Sequence, residues 1–235
     1  MDSEIDFLNV AWYYDWSSHI VTSPPSSFSL KLMANGISYV PMVWGEAAIT
    51  NSSEISSLSQ LNIPGVDNYL LGYNEPNLSG QSNLQVDTAI KYWPVAVSTG
   101  RTLVSPAMPQ GDSAFNWLTN FVQKAQANNI PTFSYVAIHC YGVPDSAAFL
   151  SNIRKYYNAF HLPIWITEFA VKSNGTTSDV ETFMKMVIPA LEAMPYVKRY
   201  AWFSFSQTDP DPSKRISALY GNGQLTDLGK LYAAY

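Results

Sequence analysis

Short, almost continuously apolar segments recur along this chain, and they alternate with segments whose apolar residues follow helical spacing. Near-continuous apolar character is typical of strands that are buried on both faces. The predicted strands are Phe7–Tyr14, Ser38–Trp44, Tyr69–Tyr73, Thr102–Pro106, Tyr135–Cys140, Ile164–Thr167, Arg199–Phe205 and, more weakly, Ser217–Tyr220.

Four apolar stripes with helical spacing lie between these strands, and each predicts a helix that packs on a sheet. The stripes run from Val86 to Val97, from Leu118 to Ala125, from Phe149 to Phe160 and from Val180 to Leu191. Ser178 and Glu181 predict a capping box at the start of the fourth helix. A last helix is expected over Thr226–Tyr235.

This alternation favours an α/β fold with a parallel sheet. Seven or eight strand–helix units in 235 residues fit a compact (β/α)8 TIM barrel, with residues 1–235 as a single domain. A doubly wound open sheet is the alternative, and it would usually carry a glycine-rich phosphate-binding loop after its first strand. Residues 13–18, at the end of the first predicted strand, contain no glycine. We therefore prefer the barrel.

Two of the predicted strands end in a glutamate. Within Leu70–Asn77, an apolar run ends in Asn74 and Glu75, and a proline follows at once. Within Ile164–Phe169, a second apolar run places Glu168 at its end. In α/β folds, catalytic side chains lie at the carboxyl ends of the strands. Two carboxylates that face each other there are the groups that cleavage of a glycosidic bond requires.

Other polar and aromatic residues fall at the same predicted strand ends. We expect Asn74 to bond a sugar 2-hydroxyl and Tyr141 to donate a hydrogen bond to an ionised Glu168. The candidate substrate-binding residues are Trp12, Trp16, Trp44, Glu46, Asn74, His139, Tyr141 and Trp202.

Each of these residues also has a purely structural interpretation. Glu75 could interact with a helix dipole, and Glu168 could pair with a core arginine such as Arg199. His139 could be a satisfied core histidine, and Glu46 could be a solvated loop charge. Independent structural roles rarely all fall at strand carboxyl ends, so the set as a whole favours a functional rim.

Composition narrows the class of ligand. Charged residues make up only 13% of the chain, about half the usual share, and aromatic residues make up 14%. A surface poor in charge and rich in Trp and Tyr suits neutral sugar rings, although a large aromatic core would give the same composition. Trp117 is a further candidate platform for a sugar ring, whereas Trp93 and Trp165 are expected in the core.

Charge and residue spacing argue against several function classes. A net charge of −5 without a basic run gives no footprint for nucleic-acid binding, and no apolar stretch reaches the roughly 20 residues of a membrane span. His19, His139 and His161 lack metal-ligand spacing, so we expect neither a metal nor a cofactor. His139 and Cys140 are not expected to act as a base–nucleophile pair, because neighbouring strand residues point to opposite faces.

Four segments, in this order along the chain, resemble the retaining (β/α)8 glycosidases of clan A. They are most similar to glycoside hydrolase family 128, the endo-β-1,3-glucanases whose domain is called the glycosyl hydrolase catalytic core. The segments are Leu71–Asn77, His139–Gly142, Trp165–Phe169 and Ala201–Phe203. The resemblance implies that Glu75 is the acid/base, that Glu168 is the nucleophile and that the substrate is a β-1,3-glucan such as laminarin or a cell-wall glucan.

The resemblance departs from the clan in its strand count. In clan A the two glutamates usually end strands four and seven, whereas the pattern here places them at strands three and six. Either a strand before Tyr69, for example within Ile49–Ile63, escapes the pattern, or the barrel is irregular. Both explanations preserve the offset of three strands between the two glutamates.

Two other functions stay open at this stage. One is another clan A activity, such as a β-1,4-glucanase or mannanase, which the curvature of the aromatic platform would distinguish. The other is a non-catalytic glucan-binding protein, which a turnover assay would distinguish. We expect a monomer that binds β-1,3-glucan. Met1–Glu4 lacks a signal-peptide pattern, which fits either a cytoplasmic protein or a mature form whose signal peptide has been removed. We expect the mature form, in the extracellular space or the cell wall, with a cytoplasmic protein as the alternative.

Overall fold

A computed structural model describes residues 8–18 and 34–235. Phe7, in the first predicted strand, and His19 lie outside the described residues. The strands are β1 (Trp12–Tyr13), β2 (Ser38–Tyr39), β3 (Tyr69–Leu70), β4 (Thr102–Leu103), β5 (Val136–Gly142), β6 (Ile164–Val171), β7 (Val197–Trp202), β8 (Tyr220–Gly221) and β9 (Gln224–Leu225). The helices are α1 (Glu46–Thr50), α2 (Ser52–Leu58), α3 (Val86–Ser98), α4 (Asp112–Ala127), α5 (Ser146–Phe160), α6 (Thr177–Glu192), α7 (Pro212–Arg215) and α8 (Asp227–Tyr232).

The described residues form two compact units. The first unit comprises the described part of residues 11–137, and the second comprises residues 8–10 and 138–235. Each predicted helical stripe corresponds to a helix of the structure, namely α3, α4, α5 and α6. The fold is therefore a mixed α/β structure, as the alternation of patterns predicts.

Parallel pairing in chain order organises the first unit. β1 pairs with β2 and β3 pairs with β4, both in parallel. Isolated parallel bridges join Met42 to Leu71 and Val104 to Tyr135. Helical crossovers place consecutive strands side by side in parallel, which is the arrangement seen here. Residues 70–76 are all buried, as their apolar run predicts.

Tryptophans of α3 and α4 contribute to the core of this unit. Trp93 is fully buried, as predicted. Trp117 stacks on Phe121, with ring centroids 5.6 Å apart, and its indole N–H donates to Leu84 O at 2.9 Å. Trp117 and Phe121 are four residues apart, so both lie on the buried face of α4. The prediction that Trp117 is a sugar platform is therefore wrong.

The second unit contains a three-stranded sheet with β6 in the middle. β6 and β7 run parallel, and all eight residues of β6 are buried, including Trp165, which was expected in the core. Helices α5 and α6 pack on each other. Their apolar stripes are buried through residues such as Ile153 and Met184.

Helix α6 is capped two residues earlier than predicted. The Thr176 side chain accepts from Asp179 N, and the Asp179 carboxylate accepts from Thr176 N, which completes a capping box. The predicted box of Ser178 and Glu181 is wrong because both pairs have the required spacing and the helix starts at the first one. At the carboxyl end of the chain, α8 follows Thr226 as predicted, and the Thr226 hydroxyl accepts from Gly229 N.

β8 and β9 form an antiparallel hairpin. Asn222 and Gly223 occupy its turn, with φ values of 51° and 79°, and an Asn-Gly pair with positive φ at both positions is the signature of a type I′ turn. The prediction of a strand over Ser217–Tyr220 is wrong in its bounds, since only Tyr220 belongs to β8. The Asn-Gly pair is the sequence signal that would have located the hairpin.

The strand pairing of the described residues does not close into a ring. Residues from Glu46 to Leu58 are almost entirely helical, in α1 and α2, and no strand lies within 49–63. The suggested position of an overlooked strand within Ile49–Ile63 is therefore wrong. Glu75 follows β3 and Glu168 lies in β6, which is the predicted three-strand offset. Across the described part of the chain, no helix is long and apolar enough to span a bilayer.

Candidate active site

Asn74 and Glu75 follow β3 in the first unit, where two neighbouring segments hold their backbone. Asn74 N–H donates to Trp44 O, and Glu75 N–H donates to Ala107 O, both at 2.9 Å. Asn74 is buried, and Glu75 is only 8% exposed. The backbone from which the carboxylate and the carboxamide project is therefore fixed on both sides.

Gly72 permits the close approach of strands at this point. A Cβ atom at Gly72 would lie 2.7 Å from Pro106 N and 2.8 Å from Ser105 C. Backbone atoms cannot give way as a flexible side chain can, so any side chain here would push the two segments apart. Asn74 and Glu75, which follow directly, would move with them.

Glu75 has a left-handed backbone conformation, with φ of 41°. For a residue with a Cβ atom this region costs about 1–2 kcal/mol. The conformation is held by the bond to Ala107 and by a second bond in which Leu78 N–H donates to Glu75 O at 3.0 Å. Strain of this kind is found where a functional side chain must be aimed.

We expect Glu75→Gly to be more stable than Glu75→Ala by about 1 kcal/mol, because glycine relieves the left-handed strain. Urea unfolding of the two variants measures the difference. Glu181, inside α6, is the matched control, and there glycine should be less stable than alanine by about 0.5–1 kcal/mol. Alanine being the more stable residue at both positions would contradict strain at Glu75.

The other predicted residues of the first unit lie near or at its surface. Trp16 and Trp44 are 40% and 37% exposed, and Trp12 is half-buried in β1. Tyr14 stacks on Trp12, with ring centroids 5.9 Å apart, and meets Trp16 edge-on at 5.3 Å. Trp12, Tyr14 and Trp16 therefore form a continuous aromatic surface. Glu46 is exposed as the first residue of α1.

Glu168 lies inside β6, in the second unit. The prediction that it ends its strand is wrong, because β6 continues to Val171. The register of β6 against β7 shifts between Ile166 and Phe169, so the ladder is irregular where the glutamate sits. Such irregularities re-aim side chains and are frequent beside active sites. Glu168 itself is 7% exposed.

Two side chains of β5 meet the same oxygen of this carboxylate. The Tyr141 hydroxyl donates to Glu168 Oε2 at 2.5 Å, and His139 Nδ1 lies 3.4 Å from that oxygen. An O–H···O bond of this length is typical of a charged acceptor. The predicted contact between Tyr141 and Glu168 is therefore present, and the buried His139 lies beside it.

Cys140 faces away from this cluster. Its Sγ atom accepts from Asn152 Nδ2 of α5 at 3.4 Å, whereas His139 points to Glu168. Burial raises the pKa of the Cys140 thiol to about 12, so the thiolate is not available near neutral pH. The expectation that Cys140 and His139 do not form a nucleophile pair is confirmed.

Trp202, at the end of β7, is the most enclosed of the predicted aromatic residues. It is 7% exposed, its indole N–H donates to Ser217 O at 2.9 Å, and its ring meets Phe169 edge-on at 5.0 Å. These are the contacts of a core residue, and little of the ring is accessible to a ligand.

Three further side chains contact the predicted site residues. Gln81 Oε1 accepts from Asn74 Nδ2 at 3.1 Å. Phe203 and Phe205 pack against the Tyr141 ring, with centroids 5.8 and 5.9 Å away. Both phenylalanines lie in a predicted strand and could have been noted, whereas no sequence signal marks Gln81. Within residues 8–18 and 34–235, no group of three or more His, Cys, Asp or Glu residues could hold a metal ion.

Comparison with known proteins places this chain among glycoside hydrolases. A family model described as the glycosyl hydrolase catalytic core matches residues 2–232. A comparison with curated proteins gives no match.

Several solved structures resemble the whole chain. An endo-β-1,3-glucanase of glycoside hydrolase family 128 (subgroup I) from Amycolatopsis mediterranei, in complex with laminaritriose, is 27% identical with a TM-score of 0.81, over 99% of this chain and 93% of that one. A subgroup II endo-β-1,3-glucanase from Sorangium cellulosum is 30% identical with a TM-score of 0.79, and the match covers 99% of this chain and 94% of that one. A subgroup VI exo-β-1,3-glucanase from Aureobasidium namibiae shares the fold. It is 21% identical with a TM-score of 0.79, and the match covers 99% of this chain and 90% of that one.

The Amycolatopsis enzyme has also been crystallised with single glutamates replaced. One glutamate is replaced by alanine or glutamine, and another by alanine, in complexes with laminari-oligosaccharides. The two glutamates lie 97 residues apart in that chain. Glu75 and Glu168 are 93 residues apart here.

Proposed function

This chain belongs to the glycosyl hydrolase catalytic core family, and we propose that it is an endo-β-1,3-glucanase that hydrolyses laminarin-type or cell-wall glucan. The similarity to endo-β-1,3-glucanases at 27% and 30% identity over 99% of the chain supports this substrate class. The observation that carries the proposal is the buried Glu168 carboxylate, which accepts a hydrogen bond from Tyr141 at 2.5 Å.

We assign the two carboxylates to the two steps of a retaining hydrolysis. Glu168 attacks the anomeric carbon while Glu75 gives its proton to the glycosidic oxygen, which releases the first product and leaves a covalent glycosyl-enzyme. Glu75 then takes a proton from water, and that water displaces Glu168 from the anomeric carbon. Two displacements at one carbon retain its configuration. The spacing of the glutamates replaced in the Amycolatopsis structures supports this pair.

This mechanism requires a defined geometry. In a retaining enzyme the two carboxyl groups lie about 5–5.5 Å apart. We propose that the parallel strands form an irregular (β/α)8 barrel that presents both groups at one rim, a proposal supported by the parallel pairing in chain order and by the TM-score of 0.81. A crystal structure with the carboxyl groups beyond about 6.5 Å would favour inversion.

Asn74 and the aromatic residues supply binding in this proposal. Asn74 bonds the 2-hydroxyl of the reacting sugar, and the exposed rings of Trp16 and Trp44 and the half-buried ring of Trp12 pack on sugar faces. Glu46 and His139 complete the predicted binding set, while Trp202 supports it from the core. A polymer outside the cell suits an extracellular or cell-wall monomer, which cell fractionation and sedimentation would test.

We expect Tyr141→Phe to lower kcat/KM on laminarin by about 10–100-fold, because one charge-assisted hydrogen bond of about 1.5–3 kcal/mol to the nucleophile is lost. Initial rates of reducing-end release measure the loss. Tyr157→Phe, on a half-buried tyrosine of α5 that stacks on Tyr196, is the control and should keep full activity. Equal rates for Tyr141→Phe and the parent would remove the supporting role of this hydroxyl.

Product analysis on a panel of β-1,3-, β-1,4- and mixed-linkage glucans tests the proposed function. We expect oligosaccharides of several lengths from laminarin at early times, and slow or no release from β-1,4-glucan and mannan. Faster cleavage of a β-1,4 chain would indicate another activity of the clan. Binding of laminarin without turnover would indicate a glucan-binding protein. Release of a single short product would indicate exo action.

A further inference from the structure

Trp16 combines an exposed side chain with a strained backbone. Its φ is 61°, and for a bulky residue with a Cβ atom this left-handed conformation is an outlier. The indole is 40% exposed, so burial of the ring offsets little of the strain. Strain that the fold maintains in this way is found at active sites and ligand clamps, which makes the position of this exposed ring significant.

A buried phenol holds the backbone on both sides of Trp16. The Tyr39 hydroxyl lies 2.8 Å from Asp15 Oδ1 and 2.7 Å from Ser17 O, so its one proton is shared between the two residues that flank Trp16. Asp15 Oδ1 also accepts from Ser17 N–H at 3.2 Å, which closes the turn. The strained conformation is therefore fixed from both ends by one side chain.

The Tyr39 ring is itself fixed. It is 3% exposed, and Tyr39 of β2 lies opposite Tyr13 of β1, with the two ring centroids 5.2 Å apart. A phenol carries its hydroxyl on the ring axis, so a half-turn of the ring presents the same group at the same place. Burial, and after it the neighbouring Asp15 carboxylate, raises the pKa of Tyr39 above its ordinary value, so the hydroxyl stays a donor near neutral pH.

Trp16 lies on the same edge of the first unit as the proposed acid/base. The carbonyl of Ser17 accepts from Met42 N–H at 2.8 Å, and the carbonyl of Trp44 accepts from Asn74 N–H at 2.9 Å. Three consecutive parallel segments are therefore joined side by side at their carboxyl ends. Neighbouring strands lie about 4.8 Å apart, so two steps place the Trp16 segment roughly 10 Å from the segment of the acid/base.

We propose that Tyr39 is a positioning residue for glucan binding, which holds the Trp16 indole in place as a platform for a sugar ring beyond the reacting one. Tyr14 extends this platform, because it stacks on Trp12 and meets Trp16 edge-on. The inference rests on the proposed function, which supplies the glucan. It adds the residue that sets the position of the platform.

Tyr39 contributes by preorganising the turn. Without its hydroxyl the turn can relax to an unstrained backbone conformation, and a bound glucan must then restore the strained one. The affinity should fall by the cost of one left-handed residue, which corresponds to about 5–30-fold. Because the platform contacts a sugar away from the cleaved bond, it binds ground state and transition state alike, so KM should rise while kcat stays unchanged.

Binding and turnover of laminarihexaose by Tyr39→Phe test this inference. We expect the dissociation constant, measured calorimetrically in a Glu168→Gln background, and KM, measured in the active enzyme, to rise about 5–30-fold with unchanged kcat. Tyr73→Phe is the matched control, because it removes a buried hydroxyl of the same unit that donates to Ala89 O of α3 at 3.2 Å. It should leave both constants at the parent values.

Two further measurements would not respond to a merely structural role. On a dinitrophenyl β-glucoside, which carries one sugar ring, Tyr39→Phe should react at the parent rate. On laminarihexaose, Trp16→Ala should weaken binding at least as much as Tyr39→Phe does, and the double variant should bind no more weakly than Trp16→Ala alone. Both results would mean that the hydroxyl acts through the indole.

Asp15→Ala removes an acceptor of the same hydroxyl from the exposed side of the turn, where a loss of folding is not expected. It should weaken binding less than Tyr39→Phe does, because the bond of the hydroxyl to Ser17 O remains. This loss should also vanish in the Trp16→Ala background. Parent-like affinity of Asp15→Ala would contradict the inference even if Tyr39→Phe did not fold.

The inference fails if a folded Tyr39→Phe binds laminarihexaose like the parent, if its loss extends to the one-ring substrate, or if that loss adds to the loss caused by Trp16→Ala. Equally weak binding by Tyr73→Phe would also overturn it, since any lost buried hydroxyl would then suffice. These outcomes leave the proposed function in place as long as the parent hydrolyses laminarin. A parent that binds laminarihexaose without turnover would refute the proposed function alone, whereas a parent that does not bind it would refute both.

Discussion

Replacing Glu168 by glutamine is expected to lower kcat on laminarin by roughly 10³–10⁵-fold. The amide keeps the volume of the side chain but lacks the negative charge that attacks the anomeric carbon. The Tyr141 hydroxyl, 2.5 Å from the carboxylate in the parent, can still donate to the amide oxygen. The packing between β5 and β6 should therefore survive, and urea unfolding should show a stability close to that of the parent.

Glu181→Gln is the control for the loss of a negative charge from the same unit. Glu181 lies on α6, where its carboxylate is 3.6 Å from Lys185 Nζ, and removing a partly exposed ion pair should leave kcat unchanged and stability within about 0.5 kcal/mol of the parent. Parent-like hydrolysis by Glu168→Gln, with the protein folded, would show that another residue is the nucleophile.

A second variant distinguishes a nucleophile from a residue that only supports one. Glu168→Ala leaves a space beside the anomeric carbon that an added azide ion can enter. On an aryl β-glucoside with a good leaving group, azide should restore turnover and yield the α-configured glycosyl azide, since a single displacement inverts the carbon. A β-configured azide from this variant would mean that the enzyme's own nucleophile is intact.

The sequence predicts the elements of this fold better than their bounds. The helical stripes locate α3 to α6 because burial of one helix face leaves a strong period in the pattern. The ends depend on local competition between equivalent signals, as at α6, where Thr176 with Asp179 outcompetes Ser178 with Glu181. The strand that carries Glu168 is predicted to stop at Thr167, whereas β6 continues to Val171, just before the turn signal of Asn174 and Gly175.

The two glutamates could be found from the sequence because each follows or interrupts a buried apolar run. The details that aim them could not. The positive φ of Glu75 and the register shift beside Glu168 arise from hydrogen bonds to other segments, which leave no pattern along the chain. Gln81 is seven residues from Asn74 in a polar loop, and only the closure of that loop brings the side chains together.

Replacing Glu75 by glutamine is expected to lower kcat on laminarin by roughly 10²–10⁴-fold, the range of general acid–base catalysis. The leaving sugar of a glucan is a poor leaving group without a proton, and the amide has none to give. Glu75 follows β3 in a strained backbone conformation that glutamine can also adopt, so the fold should persist. Asp87→Asn, on the exposed face of α3, is the control and should retain parent rates.

A better leaving group distinguishes the role of Glu75 from that of Glu168, because it rescues the first step in a Glu75 variant but not in a Glu168 variant. On a dinitrophenyl glucoside the first step needs no acid, so Glu75→Ala should form the glycosyl-enzyme at close to the parent rate and then accumulate it. Added azide should release it as the β-configured glycosyl azide, opposite to the product expected from Glu168→Ala. Because the first step still requires the nucleophile, Glu168→Ala should show no burst on this substrate. The two azide products therefore assign acid/base and nucleophile separately, and identical configurations from both variants would refute the double displacement.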